Sequence, residues 1–403
     1  MRRRLAILPF ACLCLCVPAR GYSVLTHEAI IDASWSKEVR PLLEHRFPGL
    51  SPEQLRAAHA YAYGGAIIQD MGYYPFGNKF FSDLVHYTRS GDFVLALLRE
   101  AQDPNEYAFA LGALAHYAAD NLGHPLAVNR TVAMEYPKLA RKYGPQVTYE
   151  DDRGAHLKAE FGFDVIQVAR GLYASDAYHD FVGFQVARPV LERAFEDTYS
   201  LPLSNVFSDL DLALGTYRYS VSRAIPEMTK TAWATKKDEI QSLQSSMTKR
   251  KFVYRLSRAT YHRDWSRRYQ RPGPGARFLG WLFNLIPKVG PFQALAFKVP
   301  PPAAENLFLT SLKDTLERYH GLLTAVEQGQ LQLANENFDT GAPTRLGDYR
   351  LADQAYSKLL ERFDGAPEKV SGDLRTNILG FYGATAGPSS EKARAVLAAL
   401  RGH

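Results

Sequence analysis

Eight side chains between residues 27 and 160 have the chemistry of metal ligands: His27, Asp70, His86, His116, Asp120, His124, His156 and Glu160. Neutral imidazole and ionised carboxylate are the usual protein donors for zinc where no thiolate is on offer. The chain holds 11 histidines, so five in one pattern exceed scatter. His116-Tyr-Ala-Ala-Asp120 sets two donors four residues apart, one turn along the same helix face. Asp120-Asn-Leu-Gly-His124 repeats the interval, so Asp120 stands mid-stripe and can bridge two metals with its two oxygens. A buried Asp between two histidines is expensive to desolvate without a cation, the alternative being a hydrogen-bonded structural trio. Pro125 is expected to push His124 out of helical geometry and to end the helix there.

His156-Leu-Lys-Ala-Glu160 is a second pair at that interval, inside an expected helix over 154–171. Taken alone it also suits a solvated helix face, and Asp70 and His86 taken alone suit capping or core positions. His27 follows Thr26, an expected N-cap, and opens an expected helix over 28–35. Asn129-Arg-Thr131 is a formal glycosylation sequon. His59, His179, His262 and His320 stand outside the pattern. His179-Asp180 lacks the helical partners of an HD-type site, and no paired Glu-x-x-His motif of a di-iron bundle is present.

The elements that must carry these donors read as helices. Leu95, Leu98, Tyr107, Leu111, Leu114 and Ala118 recur at helical spacing, as do Leu309, Leu312, Leu316, Tyr319 and Leu323. Pro and Gly clusters punctuate them near 72–77, 144–145, 272–275 and 300–302, and no alternating strand series or internal repeat is found. The expected fold is an all-α, multi-helix bundle that buries its ligands between facing helices.

At 403 residues and 46% hydrophobic content, the chain can build a large core. It begins MRRR, then an apolar run over 5–17, then Ala19-Arg20-Gly21. That is the pattern of a cleavable secretory signal over 1–21, too short to span a bilayer, with Tyr22 as the mature N-terminus and a secreted or periplasmic destination. A lipid anchor is the alternative, although the leader cysteines lack a good lipobox. All three cysteines (Cys12, Cys14, Cys16) lie in the leader, so the mature protein has no disulfide to rely on. Loss of the four leader arginines lowers the formal charge from +6 to +2, so the basic balance says little about nucleic acid.

A boundary is expected near 240–275. Residues 249–271 carry nine basic side chains against Asp264, interleaved with Tyr254, Tyr261, Trp265 and Tyr269. An apolar stretch from Phe278 to Phe297 follows. Such a segment, 249–298, suits an anionic membrane interface, or else a solvated basic face followed by a buried helix. Further helices are expected to His403, so the chain divides into a leader, a unit over 22–240 and a helical C-terminal extension over 241–403.

An N-terminal aromatic, a His five residues on, then Asp, His, HxxxD, a further His and HxxxE resembles the zinc-dependent phospholipase C family, whose scaffold also serves S1/P1-type single-strand nucleases. The resemblance covers roughly 22–240 and implies an all-α domain with three zinc ions. It implies that Asp70, His86, His116 and Asp120 hold one zinc and His124, His156 and Glu160 a second. The third falls to the α-amino nitrogen and carbonyl oxygen of Tyr22 with His27 and Asp120. Two departures are visible. Tyr22 stands where the family usually has Trp, and His124 follows Asp120 at the fourth residue rather than the sixth, which looks more like the glycosylphosphatidylinositol-hydrolysing phospholipase D branch. The implied activity is cleavage of phospholipid phosphodiesters by a metal-activated water, with Asp70 or Glu160 as the base. A nuclease or nucleotidase, or a protein with structural metals only, is the alternative. The implied partner is a phospholipid surface, nucleic acid being disfavoured by the His124 spacing.

Overall fold

A computed structural model describes residues 23–170, 184–221, 237–238, 241 and 297–402. Among them the helices are α1 (Val24–Ser34), α2 (Arg40–Arg46), α3 (Pro52–Gly65), α4 (Lys79–Tyr87), α5 (Ser90–Glu100), α6 (Pro104–Gly123), α7 (Asn129–Glu135) and α8 (Pro137–Tyr143). They continue as α9 (Arg153–Arg170), α10 (Arg188–Tyr199), α11 (Leu210–Tyr219), α12 (Pro302–Glu327), α13 (Arg350–Glu361), α14 (Gly372–Tyr382) and α15 (Glu391–Gly402). One antiparallel pair, β1 (Glu336–Asn337) with β2 (Ala342–Pro343), joins Glu336 to Pro343 and Asn337 to Ala342. The fold is all-α.

The centre is α6. Asp103 caps it by accepting from the N–H groups of Asn105 and Glu106, Pro104 fits its first turn, and 17 of its 20 residues are buried. A helix covered on every side must be surrounded, and α1, α3, α5 and α12 do so. The approach of α3 is set by small residues. A Cβ on Gly112 would lie 2.0 Å from the Ala62 carbonyl oxygen, and one on Gly65 would lie 1.8 Å from that of Phe109. Backbone therefore meets backbone, which brings the last carbonyls of α3 within reach of side chains on α6.

The expected break at Pro125 is corrected. His124 keeps right-handed helical angles (φ −64°, ψ −61°), and a wide turn, His124–Val128, carries the chain from α6 into α7 without a stop. Proline removes one helical donor, and a π turn re-phases the ladder around the gap. A second π turn, Trp35–Val39, joins α1 to α2. Helix α9 matches its expected span, whereas α1 starts at Val24, with Ser23 rather than Thr26 at its cap. The end of α1 is tied down from afar: Asp164 of α9 accepts from the N–H groups of Leu25 and Thr26 at 3.1 and 3.2 Å, and from the Thr26 hydroxyl at 2.7 Å.

In α12 the buried stripe is Ala304, Phe308, Ser311, Thr315, Tyr319 and Leu323, so Leu309, expected inside, is 37% exposed. Small hydroxyl residues at 311 and 315 let α12 lie close to α6, where the Tyr319 hydroxyl donates to the Leu111 carbonyl at 3.0 Å. The described part of the extension thus shares one apolar core with the helices before it. Of the segment 249–298 only the last two residues are described. Phe297 is buried against Phe161 and Lys298 lies over the Tyr136 ring. The leader, Tyr22, His179-Asp180 and the rest of that segment lie outside the described residues. No described helix is long and apolar enough to cross a membrane.

Helix propensity favours Ala over Gly by about 1 kcal/mol. Gly112→Ala is nevertheless expected to destabilise the protein by about 2–4 kcal/mol, because the methyl must separate α3 from α6. Urea unfolding read by circular dichroism checks this, and an unchanged or raised midpoint would contradict the close-approach reading.

Candidate metal centre

The site begins with where two imidazoles are tied at the back. The carbonyl of Ala66, just past the end of α3 where helical partners run out, lies 2.9 Å from His116 Nδ1. That of Ser82 in α4 lies 2.8 Å from His86 Nδ1. A carbonyl can only accept, so Nδ1 carries the proton in both rings and Nε2 presents a lone pair to the interior. The two Nε2 atoms are 3.5 Å apart. Asp70 joins them on a 3-10 turn, Ile68–Tyr73, clamped by Ser82, whose hydroxyl donates to the Gln69 carbonyl and accepts from the Gly72 N–H. Asp70 Oδ1 lies 3.4 Å from His86 Nε2.

Asp120 is the hub. Its Oδ2 lies 3.1 Å from His116 Nε2, 3.5 Å from His124 Nε2 and 3.6 Å from His86 Nε2, and its Oδ1 lies 3.4 Å from His27 Nε2. The His27 ring stacks on His116, with centroids 4.5 Å apart. One carboxylate therefore faces four imidazoles from three parts of the chain, all of them buried. On the far side, His124 stacks on His156 at 4.9 Å, and His156 Nδ1 approaches Glu160 Oε1 at 2.6 Å.

These contacts form three groups that can each hold a metal ion: His27 with His116 and Asp120; Asp70 with His86 and His116; and His124 with His156 and Glu160. The residues suit zinc on their own chemistry. Acceptor faces acceptor across the interior, and both Asp120 oxygens and Asp70 Oδ1 are buried without a well-formed hydrogen bond. Donor separations of 3.1–3.6 Å around Asp120 and Asp70 are close to the edge of a tetrahedron with zinc–ligand bonds of about 2.1 Å, about 3.4 Å.

The protonation states agree. Burial, reinforced by the neighbouring His116, lowers the His27 pKa to about 3, so this ring is neutral and ligand-competent at any ordinary pH. Burial pushes Asp120 upward, but the imidazoles of His116 and His124 outweigh it and hold the carboxyl well below its usual range. Asp70 goes the other way: burial raises it despite the contact with His86. Two carboxylates a few ångströms apart thus differ in proton affinity, a division of labour common in hydrolytic sites.

Every described residue of the expected pattern is therefore brought into one cluster; Tyr22 lies outside the described residues. Sequence spacing missed three contributors. Asp164 holds the start of α1 and so His27. Asn129, read as a sequon, is fully buried, and its Nδ2 donates to the Asp339 carbonyl at 2.8 Å, which excludes glycosylation in the folded chain. Asp339, in the extension, approaches His124. Asn337-Phe-Asp339-Thr-Gly341 carries a turn signature, but no interval ties it to residue 124.

An all-α frame surrounds a shared, buried His/carboxylate cluster with three candidate metal-binding groups. The model of the family described as zinc dependent phospholipase C matches residues 26–209, so over this stretch the chain is similar to that family. The match implies a zinc-dependent phosphodiesterase. No curated protein and no solved structure matches the chain.

Asp120→Asn keeps the shape of the hub and removes its charge. It is expected to leave at least one fewer zinc per chain, read by plasma mass spectrometry after dialysis, with circular dichroism near wild type. Full zinc content in this variant would refute the bridging role of Asp120.

Proposed function

We propose that this protein is a secreted phospholipase C that cleaves the phosphodiester between diacylglycerol and the head group. The observation that carries the reading is Asp120, one carboxylate reaching the imidazoles of all three donor groups, within a stretch that matches a phospholipase family. Zinc bound there would supply Lewis-acid charge for the phosphoryl oxygens and leaving alkoxide, and would bring the pKa of a water to about 7.

The chain's own residues do the rest. Asp70, with its proton affinity raised by burial, accepts the proton of the attacking water at a carboxylate oxygen, and Glu160 is the second candidate for this task. His86 and His116 are held in one tautomer by the Ser82 and Ala66 carbonyls, which fixes the direction of each Nε2. The depressed pKa of His27 keeps a competing proton out of its donor group. Tyr22, freed at its amine by leader cleavage, would complete the group around His27, making export a condition of activity. The segment 249–298 would present charge and rings to the lipid surface. The four-residue interval from Asp120 to His124 disfavours the nuclease branch of the scaffold.

Processed, zinc-loaded protein is expected to release phosphocholine from phosphatidylcholine vesicles, and His116→Ala to lower the rate at least about 100-fold, since this ring belongs to two donor groups. No release by a protein that still holds zinc would overturn the lipid reading and direct the assay to single-stranded nucleic acid. A chain with one extra residue before Tyr22 is expected to fold and lose most activity; full activity would remove Tyr22 from the site.

A further inference from the structure

The second donor group, His124 with His156 and Glu160, is completed from a part of the chain that the family match does not reach. Residues 335–349 of the extension run between α4 and the end of α6. The Phe338 N–H donates to the His86 carbonyl at 3.3 Å, and its ring packs on the His86 imidazole with centroids 5.1 Å apart. Gly341, at φ +67°, lies so close to α6 that a Cβ would come within 2.4 Å of the Asn121 carbonyl oxygen. Between them is Asp339, fully buried. Its Oδ2 accepts from the Tyr87 hydroxyl at 2.7 Å and from the Tyr349 hydroxyl. Its backbone N–H donates to Asn337 Oδ1 at 2.9 Å. Oδ1 is thereby aimed at His124 Nδ1, 3.5 Å away.

The Asp339 backbone reaches the other imidazole of the group. Its carbonyl accepts from Asn129 Nδ2 at 2.8 Å, which settles the amide with Oδ1 toward His156 Nε2, also at 2.8 Å. An amide oxygen only accepts, so His156 Nε2 carries the proton and Nδ1 presents its lone pair beside Glu160. On the opposite ring, a carboxylate at Nδ1 favours the proton there and leaves His124 Nε2 as the donor atom facing Asp120. Carboxylates and carbonyls behind metal-binding imidazoles fix their tautomer and direction, and removing one costs about 10–100-fold in metal affinity.

We propose that Asp339 is the positioning residue of this second metal site: its side chain sets His124, and its carbonyl sets His156 through Asn129. The extension is then part of the metal centre, and the 26–209 stretch does not assemble that site unaided. This inference rests on the zinc reading of the three donor groups.

The test uses the full zinc-loaded chain, a graded zinc chelator, and zinc per chain read by mass spectrometry. Asp339→Ala is expected to give up one zinc at a 10–100-fold lower chelator concentration than wild type, the remaining zinc leaving as in wild type. Asp339→Asn, which keeps the shape and a bond from each tyrosine, is expected to shift the same ion in the same direction by less. Tyr349→Phe, which removes one bond to Oδ2 and the acceptor of the Glu150 N–H, is expected to shift it less than threefold. Release profiles of both Asp339 variants superimposable on wild type would overturn the proposal. So would parallel loss of every zinc together with helical signal, which would mark Asp339 as a folding residue only. A wild-type chain that holds no zinc would instead overturn the reading beneath it.

Discussion

A negative charge at the centre of a helical bundle is the constraint on which the rest depends. Asp120 is buried on α6 and faces His27, His86, His116 and His124. Moving one carboxylate from water into a medium of low dielectric costs several kcal/mol even after relaxation. His27 is a poor remedy, because burial keeps its ring neutral. Cations shared between carboxylate and imidazole satisfy both at once. Much of the surrounding architecture can be understood as holding the donors still until those cations arrive.

The holding is done largely by the backbone. Glycines at the α3–α6 contact let the Ala66 carbonyl reach His116, the Ser82 clamp joins the Asp70 turn to α4, and Asp164 of α9 grips the first turn of α1 ahead of His27. Each fixture comes from a different stretch of chain, so the centre forms only when the whole bundle closes. With no cysteine after residue 16, packing carries the stability that a disulfide framework supplies elsewhere.

The intervals His116–Asp120–His124 and His156–Glu160 made the ligand face legible in the sequence, because one turn of helix maps i and i+4 onto one side. The all-α class was legible for the same reason. What the intervals did not disclose depends on contacts distant in the chain. Pro125 reads as a stop, yet a π turn carries His124 through in helical geometry. Leu309 reads as core, yet the small hydroxyls of Ser311 and Thr315 turn the buried face of α12 by a fraction of a turn. Asn129 and Asp339 meet through a hydrogen bond spanning 210 residues, which no local pattern encodes.

The most direct test is anomalous diffraction from crystals of the processed protein, with data collected on either side of the zinc absorption edge. Three peaks grouped around Asp120 are expected, with those sharing its carboxylate about 4 Å apart. No peak at Asp120, or zinc confined to surface residues, would contradict the assignment of this cluster as the metal centre.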